Sequence, residues 1–265
     1  MDHKNNNHTI DVHKRQYATS DFERHKKITL EGLRKWERFF ISKYLTQPHF
    51  PTLEIGCGTG RISFGMEQEF GFSNITATDF VETFIEKARE IASKRNSSIK
   101  FKNCNVMDLP FDDNSFQYVV CLGVVLSHLP HRKQRIQALK ECHRVLKDGG
   151  IVLVNTMNIL YKRWYMPFLK ILTRLTRIIS NPYDYENNSL PRLGSGGKFD
   201  PMFLRVDKPV LHYYYPDELV FDLLSSNLTV VSLITTSNSL NNLENERFLN
   251  DGANIYIVGK KTKVV

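Results

Sequence analysis

The sequence predicts an α/β fold built on a doubly wound, mainly parallel sheet. Two observations carry that prediction. Short apolar runs at 75–79, 99–105, 116–122 and 151–154 alternate with amphipathic stretches of helical period. The first run of the series ends in Leu53-Glu54-Ile55, crosses Gly56-Cys57-Gly58-Thr59-Gly60, and continues as the amphipathic Arg61-Ile62-Ser63. That order reads as strand, tight glycine turn, helix.

The chain has 265 residues, enough to bury a full core, and one domain with an elaboration is the expected count. Its 41% hydrophobic and 24% charged composition is that of a soluble globular protein. No stretch reaches the roughly 20 apolar residues of a membrane span. Met1 is followed by Asp, Asn and His residues rather than a basic segment and apolar core, so no secretory signal is read. Cys57, Cys104, Cys121 and Cys142 lack metal-ligand spacing and read as reduced thiols, which predicts a cytoplasmic location and no metal. The formal charge of +8 permits an acidic partner without naming one.

Residues 1–19 are polar and rich in Asn and His. Ser20 or Asp21 suits a helix cap. Ile28, Leu30, Leu33, Trp36, Phe39, Phe40 and Tyr44 then recur at helical spacing among charged residues, which predicts an amphipathic helix packed on the domain that follows. The expected division is 1–47 for tail and covering helix and 48–265 for the main domain.

In the glycine turn, residues without a Cβ reach conformations closed to others and let a ligand approach the main chain. The N–H groups of the next helix face that ligand. A bare turn without a ligand is the rival reading. The dinucleotide pattern wants its third glycine where this chain has Arg61, and no Gly-Lys-Ser/Thr follows for a nucleoside triphosphate. Glu54, two residues before the first glycine, suits a cation and not a pyrophosphate. Asp79 ends the second predicted strand, where an acid can accept two ribose hydroxyls. Its rival role is to cap the helix predicted over 82–94.

The Glu-x-Gly-x-Gly-x-Gly run from Glu54 to Gly60 resembles motif I of the class I S-adenosylmethionine-dependent methyltransferases. The likeness extends over roughly 51–154, and Arg144-Val145-Leu146-Lys147-Asp148-Gly149-Gly150 before a strand resembles a second hallmark of that family. The resemblance implies a Rossmann-like sheet of seven strands with an antiparallel last strand. Runs at 229–235 and 253–259 fit its closing hairpin, and 216–226 fits the helix before them, with Pro216 in the first turn. It also implies S-adenosylmethionine as cofactor and S-adenosylhomocysteine as product. Glu54 with the backbone around Gly56 and Gly58 would face the amino group and sulfonium. Cys57, Thr59 and Arg61 are assigned to the same turn, and Leu122 to the end of the fourth strand. Phe80 would lie against adenine. Asn105 stands where the family segment begins with an Asp that contacts the adenine amino group. Its carbonyl still accepts from an amino group, the Val106 N–H would reach a ring nitrogen, and Asp108 is the substitute acid.

A methyl on a sulfonium is already activated, so the protein mainly holds the acceptor in line and excludes water. Few catalytic side chains are required. His128, just beyond the fourth strand, is either a general base or a histidine of the rim. Residues 155–215 exceed an ordinary connection and read as an acceptor-covering insertion. Within it, 159–179 holds Lys162, Arg163, Lys170, Arg174 and Arg177 among apolar residues and no acid. Such a stretch packs on its own domain or lies peripherally on an anionic membrane. Tyr17 is a candidate lid residue and substrate contact, or an exposed loop tyrosine; Tyr213 and Tyr215 are candidate substrate contacts, or residues that only pack.

These readings converge on methyl transfer to O, N or C of a small-molecule acceptor. The rivals are a lipid or quinone methyltransferase at a membrane surface and a cofactor-binding regulatory protein without turnover. Nucleic acid is disfavoured as a partner, since no Asn/Asp-Pro-Pro-Tyr motif occurs. A hydride-transferring dehydrogenase fails at Arg61. No feature names an oligomeric state.

Overall fold

The computed structural model describes residues 29, 31–129, 131–161, 189–191, 210–236 and 254–262. The covering helix, α1 (Lys35–Tyr44), is shorter than the 28–44 periodicity predicts. Gly32 at φ +68° and the extended Arg34 turn the chain ahead of it, so Leu33 packs from a turn and not from the helix. The next elements follow the predicted order: β1 (Thr52–Ile55), α2 (Arg61–Phe70), β2 (Ile75–Asp79), α3 (Glu82–Arg95), β3 (Lys100–Asn103) and β4 (Phe116–Cys121). A 3-10 turn (Val125–His128) leads to α4 (Arg132–Val145).

The strand predicted over 151–154 is the middle of a much longer one. β5 (Leu146–Asn158) takes in the glycine turn ahead of it, with Gly149 at φ +75°. Then come β6 (Ser189–Pro191), β7 (Val210–Tyr214), α5 (Pro216–Leu224), β8 (Leu228–Thr236) and β9 (Asn254–Lys261). Residues 155–215, read from sequence as an insertion, thus supply the end of β5 and two strands of the sheet. Most of 159–179, the Gly194–Gly197 tip and Tyr17 lie outside the described residues.

The sheet runs β3-β2-β1-β4-β5 in parallel, continues into antiparallel β9 and closes with β8 antiparallel to β9. These are the seven strands expected. β7 pairs in parallel with Met157 and Asn158 of β5, past the point where β4 ends, and β6 pairs with β7. Since β9 occupies one edge of β5, β4 and β7 share the other.

Period-two alternation divides the core between the two faces. Tyr118, Val120 and Leu122 turn to the side packed by Phe40, Ile41, Phe64 and Ile85 of α1–α3. Val119 and Cys121, with Phe116 on the far side of a register shift between Phe116 and Tyr118, turn to Ala138 and Leu139 of α4 and Leu219 and Leu223 of α5. Strands covered on both faces explain the near-continuous apolar runs of β4 and β5. Among the described residues no helix is long and apolar enough to cross a membrane.

Candidate active site

The order β3-β2-β1-β4-β5 reverses direction of winding between β1 and β4. At such a switch point the connections leave to opposite faces, and a crevice opens beyond the carboxyl ends of the two strands. The glycine turn after β1 forms one wall. The loop after β4, from Gly123 to Leu129, forms the other. Gly56, Gly58 and Gly60 have φ of +73°, +55° and +92°, all in the left-handed region. A Cβ on Gly56 would also sit 2.3 Å from Cγ2 of Val125, across the crevice floor. The Cys57 N–H donates to the Thr78 carbonyl at 2.9 Å, which ties the turn to β2.

Two carboxylates stand at neighbouring strand ends. Glu54 is fully buried; its Oε2 accepts the Ser63 hydroxyl and its Oε1 has no hydrogen-bond partner. Burial raises its pKa to about 7, against the Ser63 hydrogen bond and the charge of Arg61. Asp79 is half-buried. Its Oδ2 accepts the Gly58 N–H at 2.8 Å and its Oδ1 the Val81 N–H at 3.0 Å. Burial raises its pKa too, opposed by those backbone bonds. Val81 is the N-cap residue of α3, so Asp79 steadies the start of that helix and the glycine turn together.

Several side chains assigned to the cofactor are engaged elsewhere. The Arg61 guanidinium makes two 2.6 Å bonds to the Glu37 carboxylate and one of 2.9 Å to the Gly32 carbonyl. It fastens α1 to the start of α2. The Thr59 hydroxyl hydrogen-bonds that of Thr29. The Cys57 thiol is buried, donates to the Gly58 carbonyl, and burial holds its pKa well above the usual thiol range. The Leu122 side chain is core. These residues therefore meet the crevice through backbone only. Asn105 is exposed, and its Oδ1 accepts the Met107 N–H at 3.0 Å within its own turn. Val106 packs against the α4 side of the core and Asp108 is exposed. Phe80 packs with Val81 and Phe84 beside Asp79.

On the other wall, His128 ends the 3-10 turn and is half-buried. Tyr213 is buried against Ile159 and Leu211, so it packs in the wall and does not line a surface. Tyr215 is exposed at the N-cap of α5. Sequence reasoning missed a buried charged lattice behind this wall. Arg135, wholly buried, donates to the Leu129 carbonyl at 3.2 Å and meets Glu218 at 3.3 Å; Glu218 bonds His212 at 2.7 Å; Arg132 bonds Asp222 at 2.7 Å. It also missed Asn155, although a lone amide following the apolar 151–154 run was a usable signal.

The comparisons with known proteins meet this geometry. A family described as "Methyltransferase domain" matches residues 52–150. Over these residues the chain is similar to a methyltransferase domain. The match spans β1 through the start of β5, the part that builds the crevice. A demethylmenaquinone methyltransferase from Staphylococcus epidermidis is 35% identical over 128 residues, 48% of this chain and 51% of that protein. One from Staphylococcus aureus is 34% identical over the same shares. The chain spans about half the length of these curated relatives. Among solved structures, an S-adenosylmethionine-dependent methyltransferase from Methanosarcina mazei superposes with TM-score 0.64 at 23% identity, covering 88% of this chain and 100% of that one. The Burkholderia thailandensis 1,6-didemethyltoxoflavin-N1-methyltransferase gives 0.61 at 16% identity, covering 96% and 89%. The chain thus shares the Rossmann-like fold of these structures, with β6 and β7 standing outside the seven-strand series β3-β2-β1-β4-β5-β9-β8.

The residues present fit S-adenosylmethionine. The orphaned, buried Oε1 of Glu54 lies beside the glycine turn and offers an acceptor to an ammonium group. Asp79, at the end of the adjacent strand, is placed for ribose hydroxyls, with Phe80 next to it.

Proposed function

We propose that the chain transfers the methyl group of S-adenosylmethionine to a small-molecule acceptor. The supporting observation is the bond from the Gly58 N–H to Asp79, which draws the glycine turn and the second strand's carboxylate into one cradle at the switch point. In this reading Glu54 balances the cationic amino-acid end, and Asp79 turns its carboxylate to the ribose. Val106 and Asn105 border the adenine, with the Asn105 amide as donor because its carbonyl is occupied. The bound cofactor supplies an electrophilic methyl. The protein's share is to align the acceptor and exclude water. His128 is the candidate base for an acceptor that must lose a proton.

The names of the curated relatives favour a quinone-type acceptor over other metabolites. Demethylmenaquinone is therefore the first acceptor to test, beside an unfractionated metabolite extract. Calorimetry with S-adenosylhomocysteine reads the cradle, and labelled methyl transfer reads the activity. Binding with label appearing in an acceptor is the expected result. No binding to either form of the cofactor overturns the proposal. Binding without transfer to any acceptor favours a regulatory protein.

A further inference from the structure

The loop that forms the second wall of the crevice is held in a conformation its residues do not favour. Val124 has φ +60°, the left-handed region, although it is β-branched. Alone, that loop would relax to an extended backbone. The Val124 amide itself is held by a buried side chain on the neighbouring strand. The Val124 N–H donates to Oδ1 of Asn155 at 2.9 Å. Asn155 is 5% exposed and stands beside Tyr256, its cross-strand partner in β9. Tyr256 stacks on Phe40 of α1, with ring centroids 4.8 Å apart and planes 6° from parallel. The amide thus stands beside a fixed ring and spends its carbonyl on the strained residue. The residue after Val124 is Val125, whose methyl lies against Gly56.

We propose that Asn155 is a positioning residue for the cofactor cleft, fixing Val124 so that Val125 closes on Gly56 and the two walls stand at the separation the cofactor requires. The inference rests on the functional reading given above. Asn155 touches neither cofactor nor acceptor in this scheme. It acts through the loop, and its effect is a change in the fraction of molecules whose cleft is ready.

The test uses the full chain, S-adenosylhomocysteine as the probe, and amide hydrogen exchange on the empty protein. Asn155→Leu removes the acceptor. We expect the Val124 amide to lose its protection and the affinity for S-adenosylhomocysteine to fall about tenfold, as when the competent state drops to roughly a tenth of the population. Asn155→Asp keeps an acceptor and should stay within about twofold of wild type. Tyr256→Phe removes the phenol oxygen beside the amide but leaves the hydrogen bond to Val124, and should also stay close to wild type. A role in β5–β9 packing alone would instead make Tyr256→Phe and Asn155→Leu alike. Val124→Gly added to Asn155→Leu should recover affinity, because glycine takes the left-handed conformation without strain. If Asn155→Leu does not fold, Asn155→Ala reads the same loss without adding bulk.

Wild-type affinity in Asn155→Leu or Asn155→Ala, with the Val124 amide deprotected, overturns the proposal. Unchanged Val124 protection overturns it as well. Failure of the wild-type chain to bind S-adenosylhomocysteine strikes the functional reading instead, and the exchange data still report whether Asn155 holds the loop.

Discussion

Replacing Glu54 by Gln should change how stability depends on pH. The wild-type carboxyl has its pKa raised from 4.5 to about 7 by burial in the fold. Between those values the folded protein keeps a proton that the unfolded chain has released. Stability therefore falls as pH rises through this window and levels off above it. Each tenfold change in proton affinity is worth about 1.36 kcal/mol, so the full penalty on the ionised form is about 3.4 kcal/mol. Of this, about 2.5 kcal/mol develops between pH 5 and pH 8. Glu54→Gln is close to isosteric and has nothing to ionise there. Urea unfolding of both proteins at pH 5, 6, 7 and 8 is the assay. The variant should gain on the wild type steadily across the series, by about 2.5 kcal/mol in total. Two parallel curves would mean that the carboxyl is already ionised at pH 5 in the folded state, and the argument from burial would be wrong. A curve that converges instead of separating would reverse the sign and refute it equally.

Gly56→Ala should abolish binding of S-adenosylhomocysteine in calorimetry. Its Cβ would collide with Val125, and its φ of +73° strains an L-residue by about 1–3 kcal/mol, so a drop in thermal midpoint should accompany the loss. Glu37→Gln leaves the Arg61 guanidinium with an uncompensated buried charge; denaturant unfolding should show a loss of about 3 kcal/mol. His128→Ala should lower labelled methyl transfer by about 100-fold while leaving affinity for S-adenosylhomocysteine unchanged, if the acceptor loses a proton to it. Equal turnover in that variant excludes the base.

Much of the fold was legible because its elements are locally consistent. The glycine turn needs left-handed residues at three places and has glycine at each. β2 could be read to the residue, since Asp79 ends an alternating apolar run. Glu54, Gly56 and Asp79 stand together at the switch point, where their positions at strand ends and in the glycine turn put them. The site was misread where a side chain answers to tertiary partners. Arg61 sits next to the turn, but its destination depends on Glu37, 24 residues earlier, and no local pattern announces that pairing. Thr59 pairs across a similar gap with Thr29. Asn105 looked like an adenine acceptor because its own turn, which occupies the carbonyl, was invisible in the letters. Tyr213 and Tyr214 were read as leading into a helix, yet they end the five-residue strand β7 and pair in parallel with Met157 and Asn158 of β5. Parallel partners are distant in sequence, and a short strand pairing beyond the end of β4 carries too few residues to show a period.

That pairing has a consequence for how such a chain can change. The sheet releases the backbone at Asn158 and recovers it beside the same spot: Asn158 is in register with Tyr214, and the Ile159 N–H donates to the Tyr214 carbonyl at 3.0 Å. Departure and return are clasped to each other, so the stretch between them has its ends already joined. Lengthening it costs only logarithmically in closure entropy, and the cradle formed by β1, β2 and β4 is not disturbed. New sequence can therefore be spliced in at this clasp while the strand-end carboxylates and the glycine turn keep their arrangement.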